Sequence, residues 1–251
     1  MKRSYKEEYQ YWLDSPALGE EEWKELSAIA GDDKEIESRF YAPLEFGTAG
    51  LRGIMATGLN RMNIHVIRWA TQAFAAVIKA EGEEACRKGV VVCYDCRLNS
   101  EKFAREAAGV MAANGIRVRI FDALRPTPEL SFAVLHYGAT AGINITASHN
   151  PKEYNGYKVY WSDGAQLPPQ HAAAVAAEMG KLDIFHDVKR LSFDEAMASG
   201  LVEVIGSETD EAFLANVMSM SINKSVVEKV ADEFKIVYTP FHGAGYKLVP
   251  E

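Results

Sequence analysis

The segment ATAGINITASHNPKEYNGYKVYWSDG, residues 139–164, decides the fold that the sequence predicts. Its first part, ATAGINIT, and its last part, GYKVYWSDG, are runs of apolar, β-branched and aromatic residues that are typical of β-strands. The two runs are close enough in sequence to pair as a hairpin, and hairpin strands are antiparallel. A sheet that contains this pair beside parallel strands is a mixed sheet.

Strands alternate with helices around this segment. Two further apolar runs predict buried strands, GVVVCYD (89–95) and IRVRIFD (116–122). Helical spacing and end signals predict helices at NSEKFAREAAGVMAANG (99–115), TPELSFAVLHYG (127–138), PPQHAAAVAAEMGKL (168–182) and SFDEAMASG (192–200). The alternation predicts an α/β fold, in which a layered mixed β-sheet is flanked by helices.

The segments before residue 90 are predicted to be helical, with one loop. The first sixty residues are charged and carry aromatic and aliphatic residues at helical spacing. EFGTAGLRGIMATG (45–58) is rich in glycine and predicts a loop. NIHVIRWATQAFAAVIKAEGEEACRKG (63–89) predicts one long helix that ends near Gly89.

A new unit is predicted to begin after Gly206. SETDEAFLANVMSMSI (207–222) predicts a helix, and FKIVYTPFHGAGYKLVPE (234–251) predicts a strand, a turn and the start of a helix. A βα unit that stops after its first strand cannot bury its own faces. We therefore expect one domain over residues 1–206 and the truncated beginning of a second, similar α/β domain over residues 207–251.

Composition and charge narrow the function classes. Of 251 residues, 48% are hydrophobic and 25% are charged, as in an ordinary globular protein. The 27 basic and 35 acidic residues are spread along the chain and give a net charge of −8, so a concentrated basic face for nucleic acid is not expected. No apolar run has the length of a membrane span, and the N-terminal MKRSYKEEYQYW lacks the apolar core of a signal peptide. The sequence predicts a cytoplasmic protein without a nucleic-acid or membrane partner.

The cysteines do not favour a metal or redox site. Cys93 and Cys96, in CYDC, have the spacing of a redox or zinc pair, and Cys86 is the third cysteine. No second pair completes a zinc site, and Cys93 ends an apolar strand. A core position for Cys93 is the stronger interpretation.

Ser148, His149 and Asn150 follow a predicted strand at its carboxyl end, the edge at which ligands bind in α/β sheets. A serine beside a histidine resembles an activated nucleophile. However, adjacent residues of an extended segment point to opposite faces, and the G-x-S-x-G elbow of serine hydrolases is absent. An equally open alternative is a turn in which Ser148 and Asn150 bond the local backbone.

Three cationic residues are further candidates. Arg52 lies among glycines that would let a backbone approach an anion, although the motif is not a Walker A loop. Arg97, after Asp95, follows another strand end. Lys158 could neutralise a phosphate or carry a proton. The alternatives are a surface arginine in a glycine-rich connection, a solvated Arg97 in a helix-capping loop, and an exposed strand lysine. No histidine pair has metal-ligand spacing.

Together these motifs are more specific than any one of them. EFGTAGLRG, NRMN, RPTPELSFAV, TASHNPKEYNGYKVY and TPFHGAG occur in this order, and over roughly residues 40–251 the sequence resembles the α-D-phosphohexomutases, in particular their bacterial phosphoglucomutase and phosphopentomutase-like branch. The resemblance implies an enzyme that interconverts glucose 1-phosphate and glucose 6-phosphate through a phosphoserine and a sugar bisphosphate. Phosphopentose and mannose phosphate are the alternative substrates.

The resemblance also implies roles for individual residues. Ser148 matches the phosphoserine, His149 an acid/base and positioning residue, Lys158 a proton carrier and Arg52 an arginine that faces the phosphoserine. The implied substrate-binding residues are Thr48, Arg97 and Asn150. Mg²⁺ is the implied cofactor, bound to Ser148 through its phosphate, and glucose 1,6-bisphosphate is the implied activator.

The sequence also departs from the family pattern. Members of the family have four domains, and the later ones carry D-G-D-x-D-R for magnesium, G-E-x-S-G and R-x-S-G-T. None of these motifs occurs in the chain. The prediction is therefore a phosphoglucomutase-type intramolecular phosphotransferase whose activity is impaired by truncation. A non-catalytic fragment, or a module that binds sugar phosphate or a partner, is the alternative, and a serine hydrolase is a third.

Overall fold

The computed structural model describes residues 3–251 and contains one six-stranded sheet in that range. The strands are β1 (Leu51–Ile54), β2 (Val90–Tyr94), β3 (Val118–Phe121), β4 (Ala141–Ile145), β5 (Tyr154–Trp161) and β6 (Val202–Ile205). Their order across the sheet is β1-β5-β4-β2-β3-β6. Neighbouring strands pair in parallel across the set β4, β2, β3 and β6, whereas β5 is antiparallel to both β4 and β1. The predicted mixed sheet is confirmed.

Helices precede the sheet, connect its strands and follow it. They are α1 (Tyr5–Leu13), α2 (Glu20–Ala28), α3 (Asp33–Phe40), α4 (Ile64–Ala80), α5 (Glu83–Lys88), α6 (Ser100–Ala113), α7 (Thr127–His136), α8 (Pro169–Met179), α9 (Phe193–Ala198), α10 (Ser207–Ser219) and α11 (Lys224–Val230). The helix predicted over residues 63–89 is wrong in one respect, because the chain breaks it at Gly82, whose φ is +101°. None of the helices in the described range is long and apolar enough to cross a membrane.

The two faces of the sheet bury separate apolar clusters. Ile143 and Tyr157 belong to the larger cluster, which also contains buried side chains of α4 and α6. Val91, Cys93 and Tyr160 belong to a smaller cluster against α7. Successive side chains of a strand point to opposite faces of the sheet. A polar residue whose neighbours along the strand belong to the larger cluster therefore faces α7. The predicted core position of Cys93 is confirmed, because its Sγ is buried and donates to the Arg125 carbonyl at 3.3 Å.

The sequence did not predict either strand at the sheet's edges. Residues 51–54 lie in the segment predicted to be a loop, and β6 was not predicted at all. Each is four residues long and has a neighbour on one side only. Such a strand needs no continuous apolar run, so its pattern is too weak to separate it from a loop.

The C-terminal segment departs from its predicted structure. The helix expected after Gly206 is present as α10, but residues 234–240 form no strand, and Ala244–Tyr246 is a short 3₁₀ turn. No strand in residues 3–251 lies beside this segment, so its backbone has no ladder to join, and Ile236 and Val237 are largely exposed. The domain boundary between residues 206 and 207 stays a prediction.

Candidate active site

Ser148 lies in the connection between β4 and β5, residues 146–153, which we call the serine loop. Its side chain is exposed, and its φ of +56° places the backbone in the left-handed region. This conformation is uncommon for a residue with a Cβ atom and is often found at functional sites. The Ser148 N–H donates to Thr146 Oγ1 at 3.0 Å, and this bond helps to fix the turn.

Lys158 is the direct partner of the Ser148 hydroxyl. Its Nζ donates to Ser148 Oγ at 2.6 Å. In the β4–β5 register Lys158 lies opposite Asn144, on the α7 face of the sheet, and its side chain is half-buried. Burial lowers the pKa of Lys158, and the nearby charge of Arg52 lowers it further, while Asp95 opposes both. A lysine with a lowered pKa exchanges a proton more readily than a solvated one.

Arg52 approaches the serine loop from the neighbouring strand. In the β1–β5 register it lies opposite Gly156, and its Nη1 donates to Asn150 Oδ1 at 3.2 Å. The guanidinium is exposed, and the same residue lowers the pKa of Lys158. Two adjacent strands therefore bring two cations to the serine loop, as an anionic ligand requires.

Gly50 allows this approach. It has a φ of +76°, and a Cβ atom there would lie 1.8 Å from the Tyr157 carbonyl oxygen. Gly47 and Gly50 exchange two backbone hydrogen bonds around a tight turn that contains Thr48. Thr48 is exposed, and its side chain makes no hydrogen bond to the serine loop in the described part of the chain. Its predicted role in substrate binding stays a prediction.

Arg97 contacts the backbone of the serine loop. Its Nη1 donates to the carbonyls of Pro151 (2.9 Å) and Tyr154 (3.1 Å). Its Nη2 donates to the carbonyls of Ser148 (2.9 Å) and Asn150 (2.6 Å). The side chain is only 12% exposed, so the alternative of a solvated arginine is wrong. The substrate-binding role predicted for Arg97 stays a prediction.

His149 is placed differently from its neighbour. It is exposed, and its ring has no hydrogen-bond partner among residues 3–251. Lys158 is hydrogen-bonded to Ser148 and Arg52 to Asn150, and His149 is attached to these two pairs only through the backbone. Its predicted acid/base role stays a prediction.

A cleft of about 630 Å³ opens beside Ser148. Besides the serine loop it is lined by Pro126–Thr127–Pro128 at the start of α7, by Asn144 and by His242. The sequence interpretation did not name these residues as site residues. A signal was available, because the two stretches RPTPELSFAV and TPFHGAG were already recognised as motifs, and both reach this cleft.

The described residues do not form a magnesium site by themselves. No group of three His, Cys, Asp or Glu side chains among them could hold a metal ion. Asp95 is the carboxylate beside the serine loop, and its Oδ1 accepts from the Arg97 N–H and from Ser100 Oγ. A phosphate on Ser148 would supply anionic oxygens of the kind that Mg²⁺ prefers.

Comparison with known proteins identifies the family. Residues 43–184 match the family described as "Phosphoglucomutase/phosphomannomutase, alpha/beta/alpha domain I". The phosphopentomutase of Homo sapiens is 34% identical over 249 residues, which covers 95% of this chain and 40% of the human protein. The phosphoglucomutase of Staphylococcus saprophyticus is 34% identical over 220 residues, covering 87% of this chain and 38% of that protein. The chain therefore belongs to the phosphoglucomutase/phosphomannomutase family.

A solved structure shares the fold. The crystal structure of pp63/parafusin, a phosphoglucomutase from Paramecium, matches with a TM-score of 0.62 and 17% identity, over 83% of this chain and 40% of that one. At this identity the likeness concerns the fold alone. The chain spans about 40% of the length of the curated relatives it matches.

Proposed function

We propose that this chain carries the phosphoryl-accepting serine of a sugar-phosphate mutase. The proposed reaction interconverts glucose 1-phosphate and glucose 6-phosphate, with phosphopentose and mannose phosphate as alternative substrates. The observation that carries the proposal is the hydrogen bond from Lys158 to Ser148 Oγ, formed on a strained turn beside Arg52. Relatives of this chain are named as phosphoglucomutases and phosphopentomutases, which supports the substrate class.

The geometry suggests how the serine would be charged. Ser148 Oγ attacks a phosphorus atom of glucose 1,6-bisphosphate, an O–P bond to the serine forms, and the O–P bond to the sugar breaks. The hydroxyl proton of Ser148 passes to Lys158 in its neutral form, which the lowered pKa makes more accessible. The sugar oxygen takes up a proton from water as it leaves. Arg52 stabilises the negative charge on the transferred group. Return of the phosphoryl group to the other sugar oxygen is the reverse of these steps.

A non-catalytic module that binds sugar phosphate is the second candidate. One observation favours it, since the described residues form no magnesium site and phosphoryl transfer usually relies on a bound cation. The cations near Ser148 would still attract a phosphate. Magnesium, the glucose 1,6-bisphosphate activator and a cytoplasmic location remain proposals.

The two candidates differ in covalent chemistry. We would measure the intact mass of the chain after incubation with glucose 1,6-bisphosphate, with magnesium and with a chelator, and map any added phosphoryl group by peptide analysis. The mutase proposal predicts one added group on Ser148, formed faster with magnesium. Ser148→Ala should gain none, whereas Ser162→Ala, at an exposed turn serine, should behave like the unchanged chain.

Turnover of sugar phosphate is measured separately from phosphorylation of Ser148. Conversion of glucose 1-phosphate to glucose 6-phosphate would be followed with a coupled dehydrogenase. Phosphorylation of Ser148 without turnover supports the mutase proposal and locates the deficit in later steps. Binding of glucose 1,6-bisphosphate by calorimetry without any phosphorylation would instead support the non-catalytic module.

A further inference from the structure

Arg97 uses both terminal nitrogens of its guanidinium on the protein. Four of its N–H groups meet the carbonyls of Ser148, Asn150, Pro151 and Tyr154. Its Nε lies 3.4 Å from Asp95 Oδ2. A guanidinium has five N–H groups, so the four on Nη1 and Nη2 are taken up by these carbonyls and the fifth, on Nε, faces Asp95. Because the side chain reaches the turn from another strand end, it joins the β2–α6 connection to the serine loop.

These bonds fix the direction of the loop's peptide groups. In a trans peptide the C=O and the following N–H point in opposite directions. With the Ser148 and Pro151 carbonyls held by Arg97, the N–H groups of His149 and Lys152 point away from the guanidinium. Within residues 3–251 neither of these N–H groups has an acceptor. The carbonyl oxygens, which would repel a phosphoryl group, are meanwhile gathered around a cation.

The same bonds help to hold the strained residue. A left-handed serine persists only when its surroundings over-determine it. Ser148 is constrained at its N–H by Thr146 Oγ1 and at its carbonyl by Arg97. Removing the second constraint would let the Ser148 backbone relax toward an ordinary φ, and the hydroxyl would leave its position beside Lys158.

We propose that Arg97 is a positioning residue that holds the serine loop in its phosphoryl-accepting conformation and leaves the His149 and Lys152 N–H groups free for phosphoryl oxygens. The proposal rests on the proposed function, because it names what Arg97 does for the charging of Ser148. It differs from a substrate contact, which would need a free N–H group. Asp95 orients the guanidinium and is part of the same arrangement.

The first test measures the loop without any reaction. Hydrogen exchange would be followed by mass spectrometry in the unphosphorylated chain, in Arg97→Lys, in Arg97→Ala and in the control Arg87→Ala, whose side chain is 66% exposed on α5. Arg97→Lys keeps the charge but not the planar fork. In both Arg97 variants we expect amides of residues 147–154 to exchange about tenfold faster or more, as locally opened segments do, with α4 unchanged. Unchanged exchange in the loop would overturn the proposal.

The second test measures charging of Ser148 by glucose 1,6-bisphosphate at varied concentration. A misplaced reacting group costs up to about 100-fold in rate, so we expect the maximal rate to fall about 10- to 100-fold in both Arg97 variants. The half-saturating concentration should change less than about twofold, and added guanidinium should partly restore Arg97→Ala. A raised half-saturating concentration with an unchanged maximal rate would show a substrate contact and overturn the proposal.

The two tests separate this proposal from the proposed function. If the unchanged chain accepts no phosphoryl group, the mutase proposal fails, and the exchange measurement still decides whether Arg97 holds the loop. If Arg97→Ala does not fold, the decision passes to Arg97→Lys and to Asp95→Asn, which keeps the shape of Asp95 and loses the charge that orients the guanidinium. Faster loop exchange in these two variants supports the proposal, and unchanged exchange contradicts it.

Discussion

At the scale of single residues, the conformation of Ser148 has an energetic cost that can be measured. A left-handed backbone costs a residue with a Cβ atom about 1–2 kcal/mol, and glycine avoids this cost. Ser148 has a φ of +56°. Ser148→Ala and Ser148→Gly both remove the hydroxyl that Lys158 contacts, but only the glycine variant relieves the backbone strain.

We therefore expect Ser148→Gly to be more stable than Ser148→Ala by about 1 kcal/mol, after the larger chain entropy of glycine in the unfolded state is subtracted. The measurement is the free energy of unfolding in urea for both variants. Neither should accept a phosphoryl group. Equal stability, or a less stable glycine variant, would show that the left-handed backbone of Ser148 carries no strain.

The same scale shows what sequence could and could not predict at the site. Ser148, Lys158 and Arg52 were predicted from motifs, and the structure brings them together. The contacts of Arg97 were not predictable, because its acceptors are backbone carbonyls, which are the same for any side chain. The left-handed φ of Ser148 was also hidden, since serine is not a residue that favours this region.

At the scale of elements, β-strand prediction succeeded in the interior of the sheet and failed at its edges. β2 and β4 are buried along their whole length and read as continuous apolar runs. β1 (LRGI) and β6 (VEVI) lie at the two edges and bury only half of their residues. The failure at β1 matters for the site, because this edge strand carries Arg52.

The turn that precedes β1 can be tested with two glycines of one motif. Gly50 has a φ of +76°, and a Cβ atom there would lie 1.8 Å from the Tyr157 carbonyl oxygen, whereas a Cβ atom at Gly47 meets nothing within 4 Å. We expect Gly50→Ala to lower the free energy of unfolding by about 2 kcal/mol or more. The control Gly47→Ala should stay within about 0.5 kcal/mol.

Gly50→Ala should also slow the phosphorylation of Ser148 more than Gly47→Ala does, because a Cβ atom at residue 50 must shift β1 and with it Arg52. The readouts are urea unfolding and the rate of phosphorylation by glucose 1,6-bisphosphate. Similar free energies of unfolding and similar phosphorylation rates in the two variants would contradict this prediction. They would show that the contact of Gly50 with β5 does not hold Arg52 in place.

At the scale of the whole molecule, a buried ionic cluster joins the sheet domain to the C-terminal segment. Arg125 has no exposed side-chain surface, and it donates to Asp210 of α10 from Nε (2.6 Å) and Nη2 (3.0 Å). Lys247, near the C-terminus, also contacts Asp210. Burial alone would raise the pKa of Asp210, but the bonds from Arg125 and Lys247 lower it to about 2. The charged Asp210 therefore ties α7, α10 and the C-terminal segment together.

Glu129 of α7 completes the cluster, and its burial favours the protonated form. Its side chain is fully buried, and Arg125 Nε lies 3.8 Å from Oε2. Burial raises the pKa of Glu129 from 4.5 to about 8, and the neighbouring charge of Asp210 adds to the shift, while Arg125 and Lys247 oppose it. Between pH 4.5 and about pH 8 the folded chain binds more protons at Glu129 than the unfolded chain does. The free energy of unfolding therefore falls as the pH rises through this range.

The slope of the free energy of unfolding against pH tests whether Glu129 causes this loss of stability. One group in this position removes up to about 1.4 kcal/mol from the free energy of unfolding per pH unit. Glu129→Gln cannot ionise and is close to glutamate in size, so its free energy of unfolding should fall less steeply between pH 5 and 8 (about the range set by the two pKa values). The control Glu83→Gln changes a side chain that is 96% exposed and should follow the unchanged chain. Urea unfolding at each pH provides the comparison, and parallel curves for the unchanged chain and Glu129→Gln would show that the protonation of Glu129 does not couple α7 to the C-terminal segment.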